Sequence, residues 1–127
     1  MRKVMVFGTF DGLHQGHRAM LQEAKALGDY LIAVVAQDHI VEHFKGHLPK
    51  KNFAERFEHL EKVDHVDQVA IGDAELSIWN VVRRHKPDII AIGHDQDLLK
   101  KDLENSMAEL GYKPKIEVLT YYEANKE

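Results

Sequence analysis

Five short runs of aliphatic residues recur along the chain, separated by longer stretches in which apolar and polar positions mix. The runs are KVMVF (3–7), LIAVVA (31–36), QVAI (68–71), DIIAIG (88–93) and KIEVL (115–119). A strand that is covered on both faces needs nearly continuous aliphatic side chains, and these runs have them. The pattern therefore predicts five buried strands.

The stretches between the runs have the spacing of amphipathic helices. They lie at 17–28, 38–46, 52–63, 73–87 and 97–111. Asn52 and Glu55 have the spacing of a capping box, and Pro87 would end the fourth helix. Alternation of strands and helices predicts an α/β fold that is Rossmann-like and doubly wound. We expect a parallel five-stranded sheet, with its first strand in the middle and helices on both faces.

In such sheets, ligands bind beyond the carboxyl ends of the strands. This rule directs attention to three loops, at 8–17, 37–51 and 93–96. The chain contains no linker, repeat or low-complexity segment, so we expect residues 1–127 to form a single domain.

Composition narrows the classes of protein that remain. The chain contains no cysteine, so neither disulfides nor thiolate chemistry is available. No apolar run approaches the roughly 18 residues of a membrane span, and the N-terminus lacks the apolar core of a signal peptide. The net charge of −4 argues against non-specific binding of nucleic acid. These features predict a cytoplasmic protein with neither a membrane nor a nucleic acid as its partner.

The segment GTFDGLHQGH (8–17) carries the candidate chemistry. It leaves the first strand and enters the first helix, whose N-terminal N–H groups and positive dipole suit a phosphate. Glycines permit close approach of a ligand, and His14 and His17 can donate to phosphate oxygens. Neither the P-loop pattern nor the dinucleotide pattern G-x-G-x-x-G is present. Gly8 and Gly12 could equally be turn formers and Asp11 an N-cap, so both interpretations stay open.

The same segment resembles the G-x-F-D-x-x-H-x-G-H signature of the cytidylyltransferase-like nucleotidyltransferases. Comparable family segments follow in order at VVAQD, KG (45–46), ER (55–56), VDQVAIGD and KPDIIAIGHDQ. The resemblance implies that a nucleoside monophosphate is transferred from ATP or CTP to a phosphorylated acceptor, with release of pyrophosphate. It also implies Mg²⁺, held mainly by phosphate oxygens and water.

The resemblance assigns roles to particular residues. Those with an expected catalytic role are His14, His17 and Lys45. Those expected to bind the nucleotide are Gly8, Thr9, Phe10, Asp11, Gly16, Arg56, Gly93 and Asp95. It names no protein ligand for a metal, and we interpret Lys50 and Lys51 as part of a solvated loop.

His39, His43 and His47 are spaced four apart, which could suit a metal on one helix face. Gly46 and Pro49 are expected to end that helix before His47. A polar, solvated helix face is therefore the favoured interpretation of these histidines.

Three functions remain open at this stage. The residues of the segments VVAQD and KPDIIAIGHDQ are more similar to those of the archaeal-type FAD synthases, which transfer AMP from ATP to FMN. The alternative is a CTP-dependent enzyme that acts on glycerol 3-phosphate or a similar phospho-alcohol. The third is a non-catalytic nucleotide-binding module.

The end of the sequence favours the nucleotide-binding module, because many members of the family carry a Ser/Thr-rich segment after the fifth strand. Here the chain reads LTYYEANKE, so we expect that half of the phosphate cradle to be missing. Either the sequence is a truncated form of a longer chain, or the protein binds nucleotide weakly. The intact His14, Gly16 and His17 favour an enzyme instead. The resemblance further implies a homodimer.

Overall fold

The computed structural model describes residues 1–13, 15–93 and 96–119. Its five strands are β1 (Lys3–Gly8), β2 (Tyr30–Val35), β3 (Gln68–Ile71), β4 (Ile89–Ile92) and β5 (Lys115–Val118). All neighbouring strands are parallel, in the order β3-β2-β1-β4-β5. The predicted doubly wound sheet, with its first strand in the middle, is confirmed.

Five helices connect the strands: α1 (Gln15–Lys25), α2 (Asp38–Lys45), α3 (Phe53–Glu61), α4 (Asn80–His85) and α5 (Asp97–Ser106), the last followed by a 3₁₀ turn at Met107–Glu109. The predicted capping box of α3 is present, with Asn52 and Glu55 bonded reciprocally. None of the helices in the described ranges is long and apolar enough to cross a membrane.

Two apolar cores lie on the two faces of the sheet. Side chains of β1 alternate between them, because successive residues of a strand point to opposite faces. Val4 and Val6 pack with Leu21 of α1 and Leu60 of α3, whereas Met5 packs on the other face with residues of α4 and α5. The nearly continuous aliphatic runs of the central strands follow from this coverage on both faces.

The fourth helix begins later than the sequence predicts. The sequence predicts a helix over 73–87, but α4 starts at Asn80 because Ser77 and Trp79 have φ of 67° and 56°. These left-handed conformations do not fit a right-handed helix. Hydrogen bonds to neighbouring elements hold residues 72–79 as a loop instead. Ser77 Oγ, for example, donates to Asp102 of α5 at 2.9 Å.

The ends of two other helices also differ from the prediction. Helix α1 starts at Gln15 rather than at His17 and stops at Lys25, before Gly28. Helix α5 stops at Ser106 rather than at Gly111. The earlier start of α1 changes the site, because His17 becomes the third residue of the helix.

Candidate active site

A cleft of about 680 Å³ opens at the carboxyl edge of the sheet. Its walls come from the segments that follow the first four strands: residues 8–10, helix α2, the loop 72–79 and the start of α5. Strand β1 lies in the middle of the sheet, between β2 and β4. From β1 the chain builds one side of the sheet with β2 and β3, and then crosses over to build the other side with β4 and β5. Doubly wound sheets bind their ligands at such a switch point.

Gly8 and Phe10 determine the shape of the first loop. A Cβ on Gly8 would lie 2.8 Å from the Phe10 ring, so only glycine fits there. Phe10 is 1% exposed and has a φ of 55°, a left-handed conformation that is strained for a bulky residue. Its ring contacts the His17 ring at a centroid distance of 5.6 Å. Phe10 therefore links the core to the side chain that faces the cleft.

The N-terminal turn of α1 brings His17 into the wall of the cleft. Gly16, the residue before it, is buried in the first turn of the helix. The N–H groups in the first turn of a helix point towards its N-terminal end, and together with the positive end of the helix dipole they favour an anion nearby. His14, the other histidine of the motif, lies outside the described residues.

Lys45 is the last residue of α2 and contributes an exposed side chain to the same cleft. The helix ends there because Gly46 has a φ of 80° and its N–H bonds back to the carbonyl oxygen of Glu42. The structure thus brings His17 and Lys45 to one cavity, as the resemblance implied. His47 lies beyond the helix that carries His39 and His43, as predicted.

Asp11 ties the first loop to the segment that follows α2. Its two carboxylate oxygens accept hydrogen bonds from the backbone N–H groups of Lys50 at 2.7 Å and Lys51 at 2.9 Å. Partial burial acts to raise the pKa of Asp11, but these two bonds and the positive charges of Arg56 and Lys45 outweigh it. The net effect lowers the pKa, and the carboxylate stays ionised.

Arg56 is fully buried and does not belong to the cleft wall. Its guanidinium donates to the carbonyl oxygens of Thr9 at 2.8 Å and Lys51 at 3.1 Å, and to Asp38 Oδ1 at 2.6 Å. Thr9 itself lines the cleft. The structure therefore connects Arg56 to the site through the backbone of the first loop.

The end of β4 reaches the site through Gln96, a residue to which sequence reasoning gave no role. Gly93 N–H donates to Gln96 Oε1 at 2.7 Å, and Gln96 Nε2 donates to the carbonyl oxygen of Phe7 at 2.9 Å. The only sequence signal was its position in GHDQ, directly after a buried strand. Asp95, which was predicted to bind the nucleotide, lies outside the described residues.

The loop 72–79 lines the cleft, and His39 of α2 anchors it. His39 Nε2 lies 2.7 Å from the carbonyl oxygen of Ala74, which can only accept, so Nε2 is the donor. Trp79 ends this loop with 6% of its surface exposed and its ring edge-on to Phe7 at 5.6 Å. Within the described ranges, no group of three His, Asp or Glu side chains could hold a metal ion.

Comparison with known proteins places this geometry in a family. The model of the cytidylyltransferase-like family matches residues 5–121. The FAD synthase of Pyrococcus horikoshii is 40% identical over 120 residues, which cover 94% of this chain and 80% of that protein. The FAD synthase of Ferroglobus placidus is 38% identical over 117 residues, covering 91% and 74%.

Solved structures agree with the sequence matches. A lipopolysaccharide core biosynthesis protein from Thermoplasma volcanium is 34% identical and superposes with a TM-score of 0.87, covering 97% of this chain and 99% of that one. The pantoate-β-alanine ligase of Francisella tularensis has a TM-score of 0.61 at 15% identity, covering 93% and 59%, which shows the shared fold alone. The chain belongs to the cytidylyltransferase-like family and is a nucleotidyltransferase.

Proposed function

We propose that this protein transfers AMP from ATP to FMN and releases pyrophosphate, forming FAD. The observation that carries the proposal is the identity of about 40% to proteins named FAD synthase over nearly the whole chain. The cleft supports it, because a cavity of about 680 Å³ is within the usual range of about 300–1,000 Å³ for small-molecule sites.

The reaction needs positioning and charge stabilisation but no covalent enzyme intermediate. A phosphate oxygen of FMN attacks the α-phosphorus of ATP, and the bond from this phosphorus to the oxygen that bridges to the β-phosphate breaks. Pyrophosphate leaves with the electron pair of that bond. His17, the N-terminal N–H groups of α1 and, as the motif implies, His14 would stabilise the negative charge that builds up on the α-phosphate.

Other residues of the motif hold the nucleotide or shape its site in this proposal. Lys45 binds the triphosphate by charge, while Gly8, Thr9, Phe10 and Gly16 form the loop and helix start that surround it. Gly93 and Asp95 hold the ribose and base. For Asp11 and Arg56 the contacts favour an indirect role, because both side chains bind the protein backbone.

Mg²⁺ enters this proposal as part of the substrate. The ion is usually held by one or two carboxylates together with substrate phosphates. We propose that the nucleotide brings the ion, which would neutralise part of the negative charge on the pyrophosphate leaving group.

Product analysis tests the proposed activity. The purified protein, Mg²⁺ and either ATP or CTP are incubated with either FMN or glycerol 3-phosphate, and FAD and pyrophosphate are measured. FAD formed only from ATP and FMN supports the proposal. Pyrophosphate released only with CTP and glycerol 3-phosphate would identify the alternative cytidylyltransferase. Nucleotide binding without turnover of any pair would identify a binding module.

We further propose that the enzyme is a homodimer, as the family resemblance implies, and that it is cytoplasmic, as its composition predicts. Both proposed substrates are charged phosphate compounds, which a membrane retains within the cell. Sedimentation equilibrium measures the oligomeric state, and a mass of one chain, 14.6 kDa, at micromolar concentration would contradict the dimer.

A further inference from the structure

Three large apolar side chains stand exposed around the mouth of the cleft. Phe44 is 60% exposed, Leu76 is 40% exposed and Leu98 is 75% exposed, and all three line the cavity. We infer that this apolar rim, formed by Phe44, Leu76 and Leu98, binds the flat isoalloxazine ring of the acceptor. The inference rests on the proposed function and assigns its acceptor subsite.

The rim residues come from three separate parts of the chain. Phe44 belongs to α2, Leu76 to the loop 72–79 and Leu98 to the start of α5. Single exposed apolar residues are ordinary on protein surfaces. When three segments place such residues at one opening, they form a patch of the kind that marks a binding site. The exposed Leu48, Ile71 and Val118 do not line this cleft.

Leu76 is held in place although its side chain faces solvent. The carbonyl oxygen of Ala74, two residues earlier, accepts a hydrogen bond from His39 of α2. The hydroxyl of Ser77, the next residue, bonds to Asp102 of α5. These two anchors fix the backbone on both sides of Leu76. Pre-organisation of this kind lowers the entropy lost when a ligand binds.

The charged residues that line the cleft define one region that favours phosphate groups and another that favours a neutral ring. Asp73 and Glu75 lie in the loop that carries Leu76, and Asp97 is adjacent to Leu98. These carboxylates repel phosphate groups, whereas the neutral isoalloxazine ring can lie beside them and donate its ring N–H. The phosphates are drawn instead towards Lys45 and the start of α1. The acceptor is thereby oriented with its ring towards the loop and α5.

The floor of the cleft extends this apolar surface. Trp79 packs edge-on against Phe7 and contributes its indole to the lining, as do Ile40 and Val41 of α2. A three-carbon acceptor such as glycerol 3-phosphate would leave the rim uncovered. A tricyclic ring can contact floor and rim together, so the rim distinguishes between the two candidate acceptors.

Riboflavin tests the rim directly, because it carries the ring without the phosphate. Its binding is followed through the fluorescence of Trp79, the only tryptophan of the chain, which a flavin in the cleft should quench. Phe44→Ala, Leu76→Ala and Leu98→Ala should each weaken riboflavin binding about 5- to 10-fold, as expected for losing part of a buried apolar contact. The KM for FMN should rise by a similar factor, with the KM for ATP unchanged.

Matched controls come from exposed apolar residues outside the cleft. Leu48→Ala and Ile71→Ala remove side chains that are 57% and 52% exposed, and both variants should bind riboflavin like the wild type. Because rim and control residues are all exposed, none of these changes should unfold the protein.

The outcomes separate this inference from the proposed function. A loss confined to the rim variants supports the ring subsite, whether or not FAD is formed. Wild-type binding by all three rim variants, equal losses in the controls, or no riboflavin binding by the wild type overturns it. The first two of these results can occur in a protein that makes FAD, which would leave the proposed activity standing.

Discussion

The guanidinium of Arg56 donates a 2.6 Å hydrogen bond to the carboxylate of Asp38, and the arginine side chain is completely buried. The same guanidinium also binds the carbonyl oxygens of Thr9 and Lys51. One side chain of α3 thus joins the first loop, the segment after α2 and the start of α2. A buried charge is tolerated only when it is paired and hydrogen-bonded in this way.

Replacement of Arg56 should therefore affect stability strongly. Arg56→Met removes three hydrogen bonds and leaves Asp38 without its partner, which should lower the free energy of unfolding by about 3–5 kcal/mol. Arg56→Lys keeps the charge but not the fork of donors, so we expect an intermediate loss. Urea denaturation measures both, with the exposed Arg18→Met as control. A loss below about 1 kcal/mol for Arg56→Met would contradict the role assigned to these contacts.

His17 should act mainly on the transition state. If its donor stabilises charge that develops on the α-phosphate, His17→Ala should lower kcat about 10²- to 10³-fold and leave KM nearly unchanged. Steady-state kinetics with ATP and FMN measures both constants. Circular dichroism should show a preserved fold, because the side chain faces the cleft.

The matched control for His17 is His43→Ala. His43 is exposed on α2 outside the cleft and contacts the neighbouring Phe44 ring at 5.5 Å, so His43→Ala should keep the wild-type kcat and confine any change to the KM for FMN. His39 is unsuitable as a control, because its bond to Ala74 anchors a wall of the cleft. Full activity of His17→Ala would remove this histidine from the mechanism.

Nucleotide preference should be visible in thermal stability. A ligand that binds only the folded state raises the melting temperature, and at equal concentration the tighter ligand raises it more. At equal concentrations with Mg²⁺, ATP should raise Tm more than CTP, as measured by differential scanning fluorimetry. A larger shift with CTP would favour the cytidylyltransferase alternative within the same family.

Gly46 should be needed for its backbone conformation alone. Its φ is 80°, and a Cβ placed there would meet no atom within 4 Å. Gly46→Ala should lower the free energy of unfolding by about 1 kcal/mol, because L-residues avoid this region. Gly46→Asn should cost less, since asparagine tolerates it better. Equal stability of the alanine variant and the wild type would show that the end of α2 rearranges at little cost.

His85 should make stability depend on pH. Burial lowers the pKa of His85, and the positive charges of Arg84 and Lys3 lower it further. Below about pH 6.5 the unfolded chain takes up a proton that the folded protein binds less readily, so stability falls as pH falls. The drop in free energy of unfolding from pH 7 to pH 5 should be smaller in His85→Gln than in the wild type. An equal drop in both proteins would contradict the lowered pKa.

Strand positions were predictable because burial on both faces requires uninterrupted aliphatic residues. Val4, Met5 and Val6 read as a buried strand in the sequence and are one in the structure. The start of α4 was not predictable, because Ser77 adopts a left-handed conformation and bonds to Asp102, which lies 25 residues away in the chain. The pattern of apolar and polar residues around a position does not reveal partners that are distant in the sequence.

The candidate site likewise contains residues that the sequence predicts and residues that it does not. His17 and Lys45 were found from motif resemblance, and both line the cleft. The position of Arg56 beneath the loop depends on the folded arrangement of three segments, which its charge in the sequence does not reveal. Leu76 and Leu98 gave no sequence signal, because an isolated leucine in a polar segment is ordinary.

The bond from Gln96 to the carbonyl oxygen of Phe7 joins residues 89 positions apart. The first strand therefore leaves the ribosome long before the residue that braces its carboxyl end. Contacts of such long sequence separation form late, because closing the loop between them costs entropy first. A nascent chain halted before β4 would carry the whole glycine- and histidine-rich motif without the framework that shapes it. Nucleotide affinity should arise only once synthesis has passed this glutamine.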